Sequence, residues 1–486
     1  MVTTMTTPAP HHQSTVDGPE SGRQTLLILG AGGDLTARLL LPGLGALVAT
    51  GDAPDLSLVG AGMDDRDDQW WHGRVRDSFA TVGARDGRAA TVADNARYLC
   101  GDVTQEQDLR RLLDACPGRL VIFFALPPAV TTKACAALRG VELPPETRLV
   151  LEKPFGTDAS TARSLNELLV QLVPEDQIHR VDHFLGKSTV LNILGLRFAN
   201  RILEPVLNNT HVAGVDVVFD EDLALEGRAG YYDHAGALTD MVQSHLLQVL
   251  ALLAMDAPPT LDARDLRDRK AQVLRATRLW DDDPVSSSRR ARYSAGRIGD
   301  RRLSAYADEP GVDPARQTET LAEVVLAVDT WRWAGVPFRL RSDKALADRR
   351  KEAVVTFRQP PHVPHGLRGY DQPDRLRIGF GPDQLRLDVN INGPGDPYDI
   401  ENVTMHADFG PGELPPYGEV LRGVFEGDPT LSVRGDTAEQ CWRIVEPLQA
   451  AWRAGHVPLL EYAAGSTGPD DSLLSPPSAG DDGRGA

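Results

Sequence analysis

Short apolar runs recur through the first part of the chain. They read TLLILGAGG (25–33), LSLVGAG (56–62), ARYLCGDVT (96–104), RLVIFFALPP (119–128), TRLVLEKPFG (147–156) and IHRVDHF (178–184). The first run ends in glycines and the fourth in two prolines, residues that break a strand. Stretches of helical character lie between the runs, such as 106–115 and 159–172. Buried strands alternating with helices predict a parallel, doubly wound sheet.

The pattern then changes. TVLNILGLRFANRILEPVL (189–207) reads as a helix and VAGVDVVFDED (212–222) alternates as a strand. LTDMVQSHLLQVLALLAM (238–255) predicts a long, largely buried helix. Residues 352–392 contain EAVVTFRQ, DRLRIGFG and DQLRLDVNIN, which read as antiparallel strands, and EQCWRIVEPLQAAWRA (439–454) reads as a closing helix. The expected architecture is an α/β unit followed by an α+β unit on a large, mostly antiparallel sheet.

At 486 residues the chain suits two domains. The expected divisions are 24–181 and 182–465, with polar tails at 1–23 and 466–486 expected to be disordered. The N-terminal stretch has no apolar segment of the secretory kind, and no apolar run is long enough to cross a membrane. Cys100, Cys116, Cys135 and Cys441 follow no metal or redox spacing, so the expectation is a cytoplasmic protein with reduced thiols and no metal site. The net charge of −18 disfavours nucleic acid and anionic membranes as partners. A small anionic ligand then requires a local pocket of Lys, Arg and His.

Two stretches carry candidate chemistry. In ILGAGGDLTARLLLPGL, Gly30, Gly32 and Gly33 fall between a strand and a helix, where glycines permit a tight turn and helix N–H groups meet a diphosphate. The pattern departs from G-x-G-x-x-G, and a ligand-free turn is the alternative. The end of the second strand, GAGMDDRDD (60–68), bears on cofactor choice. Asp64 and Asp65 favour a ribose 2′-hydroxyl, whereas Arg66 favours a 2′-phosphate. The other stretch is HRVDHFLGKSTVLNIL (179–194), where polar groups crowd a strand running into a helix. A solvated first helical turn would explain it, and so would an anion grip, since His183 and Lys187 are four apart and would share a helical face.

LGAGGDLTARLLLP, ALPP, EKPFG, HRVDHFLGK, LRFANRI, EGRAGYYD, DMVQSHLLQ, TET, VDTWRWAGVPF and KALADRRKE occur in that order. As a set they resemble the glucose-6-phosphate dehydrogenase family over about residues 25–460. The resemblance implies a Rossmann domain, a large β+α domain, and oxidation of a hexose 6-phosphate at C1 with hydride passing to NADP or NAD. It implies that His245 is the general base and Asp182 its partner. It places His183, Lys187, Lys153, Glu221, Asp240 and Lys344 on the sugar phosphate. For the cofactor it implies Gly30, Gly32, Gly33, Asp34, Leu35, Asp64, Arg66, Leu126, Pro127 and Lys153, and it implies a cis bond before Pro154. A homodimer or homotetramer is expected on the same ground.

Several positions depart from the family. Phe184 stands where tyrosine is usual, Met63 and Leu39 where basic residues are common, Thr239 for arginine and Ser244 for asparagine. Gly381 falls where some members direct a glutamine at the sugar. These changes leave open a related aldose or sugar-phosphate 1-dehydrogenase, or a non-catalytic binding regulator. They also lead to the expectation that NAD is used as well as NADP.

Overall fold

The computed structural model describes residues 22–227, 229–369, 372–410 and 412–469. The expected tail 1–23 lies outside the described residues except for Gly22 and Arg23, as do 470–486 of the C-terminal tail. Ser466, where that tail was expected to begin, still accepts the Ala347 N–H at 2.9 Å.

The first sheet is built from β1 (Gln24–Leu29), β2 (Leu56–Gly62), β3 (Arg97–Cys100), β4 (Arg119–Phe124), β5 (Arg148–Glu152) and β6 (Ile178–Val181). Their order is β3-β2-β1-β4-β5-β6, all parallel, with Ser432–Val433 added antiparallel on β6. This is the doubly wound order. The strands are continuous apolar runs because helices cover both faces; Leu26, Leu27, Ile28 and Leu29 are all fully buried. The helices between them start where the sequence supplies caps. Asp158 accepts the Thr161 N–H, and the Thr161 hydroxyl returns to the Asp158 N–H, closing a capping box before Ala159–Leu172.

The second sheet has ten strands. Its main order is Ile400–Asp408, Asp383–Asn392, Arg375–Phe380, Arg350–Phe357, β7 (Val212–Asp220), Phe338–Asp343, Leu321–Val328, Ser288–Ser294 and Leu459–Ala463. Two pairings are parallel, β7 with Phe338–Asp343 and Ser288–Ser294 with Leu459–Ala463. The others are antiparallel, so the sheet is mostly antiparallel as expected.

Two helices differ from expectation. The helix read over 189–207 ends at Phe198, where Asn200 turns its amide back onto the carbonyls of Gly195 and Leu196, and Pro205 follows. The long helix near 238–255 exists, but Leu238–Leu246 has wide i→i+5 turns and only Leu247–Ala254 is α-helical. The run Ala229–Ala254 is long and apolar enough to cross a membrane, yet 89% of its apolar window is buried inside the protein.

Candidate active site

The parallel register of each sheet brings functional residues out in pairs. In β5 and β6, Glu152 lies opposite Val181, so the next residues, Lys153 and Asp182, emerge together at the carboxyl edge. That edge is where doubly wound sheets bind ligands. In the second sheet Asp220 lies opposite Asp343, so Glu221 and Lys344 emerge together. Glu221 N donates to the Asp343 carbonyl at 3.0 Å, and Lys344 Nζ donates to Glu221 Oε2 at 2.8 Å.

Between these edges His245 Nδ1 donates to Asp182 Oδ1 at 2.5 Å, and neither side chain exceeds 1% exposure. Asp182 Oδ1 also accepts the Phe184 N–H at 3.0 Å. Burial pushes the His245 imidazole below its ordinary value, against the pull of Asp182, so the ring is neutral at neutral pH. Burial alone would raise the Asp182 carboxyl, but His245 and its hydrogen bond hold it below the usual range. With Nδ1 committed, Nε2 is the ring's free basic nitrogen.

After Asp182 the chain makes a 3₁₀ turn, His183–Gly186, and the α-helix begins only at Ser188. His183 and Lys187 therefore do not share an α-helical face. Gly186 packs against the Pro416 backbone, where a Cβ would collide with the carbonyl, and Lys187 is extended (φ −80°, ψ 127°). The two side chains still converge. The His183 ring meets the His245 ring edge-on at 4.7 Å, and Lys187 Nζ sits 4.3 Å from the Phe184 ring centre. Burial, then His245, pushes His183 well below its ordinary value.

Lys153 Nζ pairs with Asp240 Oδ1 at 2.8 Å and also donates to the Asp240 carbonyl. Tyr231 adds its hydroxyl to Asp240 Oδ1 at 3.3 Å. In an α-helix, residues five apart point about 140° apart. The i→i+5 turns stack them instead, which brings Asp240 and His245 toward one face. Behind Lys153, Glu152 accepts the Tyr417 hydroxyl at 3.0 Å, and the Tyr417 ring stacks on His183 at 5.9 Å. Burial pushes the Glu152 carboxyl up to about 7.

The glycine loop fits a dinucleotide. Gly30 has φ +91°, and a Cβ there would collide with the Ala125 carbonyl; Leu126 Cδ2 would lie 3.0 Å from it. Gly32 and Gly33 are exposed, followed by exposed Asp34 and half-buried Leu35. The loop is tied by Gly33 N to the Gly30 carbonyl at 3.0 Å and by Arg74 Nη2 to the carbonyls of Gly32 (2.8 Å) and Gly33 (2.7 Å). Pro127 opens the next helix as its N-cap, and the Lys153–Pro154 bond is cis. The carboxylate of Asp64 approaches the loop, since a Cβ on Gly32 would lie 3.5 Å from Asp64 Oδ2. Arg66 and Arg74 lie over the Trp70 ring at 5.4 and 5.6 Å.

Reasoning from sequence missed Arg74, Glu152, Tyr231, Tyr417 and Lys351 as part of this ensemble. Tyr231, Glu152 and Lys351 lie inside quoted motifs, but nothing local marks Arg74 or Tyr417. Among the departures, Met63 is 75% exposed and Leu39 is exposed at the loop helix. Thr239 accepts from Gln449 Nε2 at 3.2 Å, and Ser244 Oγ is buried without a hydrogen-bond partner among the described residues. A separate groove of about 620 Å³ runs between helices Pro128–Leu138 and Ala159–Leu172, where only Lys133, Arg139 and Glu167 bring charge.

Comparison with known proteins gives a consistent result. Residues 27–192 match the family model for the NAD binding domain of glucose-6-phosphate dehydrogenase, and 194–475 match its C-terminal domain. A glucose-6-phosphate 1-dehydrogenase from Gluconobacter oxydans is 37% identical over 474 residues, covering 94% of this chain and 96% of that one. One from Mycolicibacterium smegmatis is 35% identical, covering 92% and 94%. Among solved structures, glucose-6-phosphate 1-dehydrogenase from Mycobacterium avium superposes with a TM-score of 0.80 at 32% identity, covering 91% and 94%. A glucose-6-phosphate dehydrogenase in complex with its substrate glucose-6-phosphate gives a TM-score of 0.81 at 28% identity, covering 92% and 95%.

Proposed function

The chain belongs to the glucose-6-phosphate dehydrogenase family, and on that premise we propose that its buried His245–Asp182 pair is the centre at which the sugar is oxidised. The activity is oxidation of glucose 6-phosphate at C1 to 6-phosphoglucono-1,5-lactone, the entry step of the oxidative pentose phosphate pathway. A bound nicotinamide cofactor supplies the hydride acceptor.

The observation that carries this reading is the 2.5 Å contact between two side chains sealed from water. A neutral imidazole with Nδ1 anchored takes the C1 hydroxyl proton on Nε2 as hydride leaves the carbon. The Asp182 carboxylate stabilises the imidazolium as it forms and fixes the tautomer. Asp240 and Glu221 receive sugar hydroxyls, with Lys153 and Lys344 holding those carboxylates in place. His183 and Lys187 take the phosphate. Gly30, Gly32, Gly33, Asp34 and Leu35 cradle the cofactor diphosphate, Leu126 and Pro127 flank it, and Lys153 stands between cofactor and sugar.

For cofactor choice we favour NAD at least as much as NADP. Asp64 beside Gly32 supports a 2′-hydroxyl. Arg74 is engaged by the loop carbonyls, and Arg66 rests on Trp70. We take 24–181 as the dinucleotide half and 182–465 as the substrate and assembly half. We infer a homodimer or homotetramer, since Ile391 and Met405 lie exposed on the outer strands of the large sheet. A cytoplasmic setting suits four free cysteines. The direct test is reduction of NAD and NADP, followed by absorbance, with glucose 6-phosphate against free glucose and other hexose phosphates. Absence of reduction with glucose 6-phosphate would overturn the reading.

A further inference from the structure

We propose that Lys351 is a second ammonium of the phosphate grip, acting beside Lys187 on the phosphate of the sugar substrate. This rests on the reading of the site as a sugar-phosphate dehydrogenase and adds a residue to it.

The placement follows from register. Arg350–Phe357 pairs antiparallel with β7, and Lys351 lies directly opposite Phe219. Residues so paired project on the same side of a sheet. Lys351 Nζ lies 4.1 Å from the Phe219 ring centre, and Lys187 Nζ lies 5.4 Å from the same centre. Phe219 in turn packs on Phe184 at 5.0 Å, and Phe184 on His245. Two ammoniums thus converge on one ring, within the aromatic cluster that surrounds the base.

The local charges leave room for an anion. Glu221 divides its carboxylate between Lys344 (2.8 Å) and Lys351 (3.0 Å). Asp383 also faces Lys187, with its Oδ1 accepting from Thr189 at 3.2 Å. Among the described residues Lys187 makes no ion pair, and its ammonium rests against two phenyl rings. Burial, then the charge of Lys351, pushes Lys187 below its ordinary value. Two partly desolvated like charges repel in the free site, and a dianionic phosphate between them relieves that repulsion. The stem of Lys351 lies over Gly381, where a Cβ would be 3.7 Å from Lys351 Cδ.

The competing role is that Lys351 merely holds Glu221. The experiment uses the full chain carrying Lys351→Met or Lys351→Arg. It measures KM for glucose 6-phosphate, KM for the cofactor, kcat, and the binding of inorganic phosphate by calorimetry without turnover. Loss of one charge-assisted contact weakens binding by roughly 10- to 100-fold. Lys351→Met should weaken both the sugar-phosphate KM and the inorganic phosphate Kd in that range, with kcat and cofactor KM nearly unchanged. Lys351→Arg should stay near wild type. An unchanged phosphate Kd in Lys351→Met would overturn the proposal, as would equal losses in Lys351→Arg. If the wild type binds phosphate through Lys351 but does not oxidise glucose 6-phosphate, the dehydrogenase reading fails and the anion grip stands.

Discussion

The Phe184 ring and the His245 imidazole lie face to face, 4.1 Å between centres and 6° from parallel. Asp182, two residues earlier, holds the edge of the same imidazole through Nδ1. One short turn therefore fixes both the plane of the base and its rotation within that plane.

If the stack positions His245, replacing the flat ring should affect turnover more than binding. An aromatic pair contributes about 0.5–1.5 kcal/mol beyond burial. Phe184→Leu keeps apolar volume in a site that is 3% exposed. Its kcat should fall by up to about tenfold, while the glucose 6-phosphate KM changes little. A variant with unchanged kcat and raised KM would assign Phe184 to binding instead.

His245→Asn should bind glucose 6-phosphate and lose about 10²–10⁴-fold in kcat, the usual loss on removing a general base. The pH profile gives an independent check. The base works when neutral, and burial places its pKa below the ordinary value. The rate therefore falls as pH drops through a value below about 6.5. Asp182→Ala removes the charge that favours protonation, so its acid limb should move to still lower pH as the plateau drops. A shift to higher pH would contradict the roles assigned to the pair.

Glu152 links stability to pH. Burial raises its carboxyl to about 7, against the opposing effects of the Tyr417 hydroxyl and Lys153. A carboxyl raised on folding holds its proton more tightly in the native state. Its contribution is fully present below about 4.5 and is lost as pH rises through about 7. That shift amounts to at most about 3 kcal/mol. Glu152→Gln should lose less stability than wild type between pH 5 and 8, measured by denaturant unfolding. Parallel curves for the two proteins would remove Glu152 from the account.

Met63 tests the cofactor reading. Wild type should show kcat/KM for NAD at least equal to that for NADP, at saturating glucose 6-phosphate. Met63→Arg places a cation near Asp64 on an exposed strand end and should raise the NADP value, by roughly tenfold for one favourable ion contact of about 1.4 kcal/mol. A strong NADP preference in wild type, or no gain in the variant, sinks the idea.

The first sheet was legible because its strands are covered on both faces and so appear as unbroken apolar runs. The strand Leu321–Val328 is just as buried, yet it was not singled out, since Glu323 interrupts it and finds its partner in Arg289 on the neighbouring strand. The acid–base pair was legible only through resemblance. Asp182 and His245 are 63 positions apart, and no local periodicity joins them. Spacing misled at His183 and Lys187, because the turn between them is set by close packing of Gly186 on Pro416. Lys351 stayed hidden because it faces Glu221 from 130 positions away, through strand pairing that the sequence does not display.

The wide turns of Leu238–Leu246 amount to one residue of slack wound into an otherwise ordinary helix. Deleting a single residue between Asp240 and His245 would let the segment relax to α-helical winding with its hydrogen bonds intact. Asp240 and His245 would then stand four apart, about 40° from one another round the axis, and both would still face the site. Relaxing to α-helical winding at full length would instead part the two by about 140° and draw Asp240, with Lys153, away from the base. The winding of this one helix therefore sets the alignment of sugar, base and strand edge, and losing the extra residue there is more tolerable than a substitution that straightens the turns at full length.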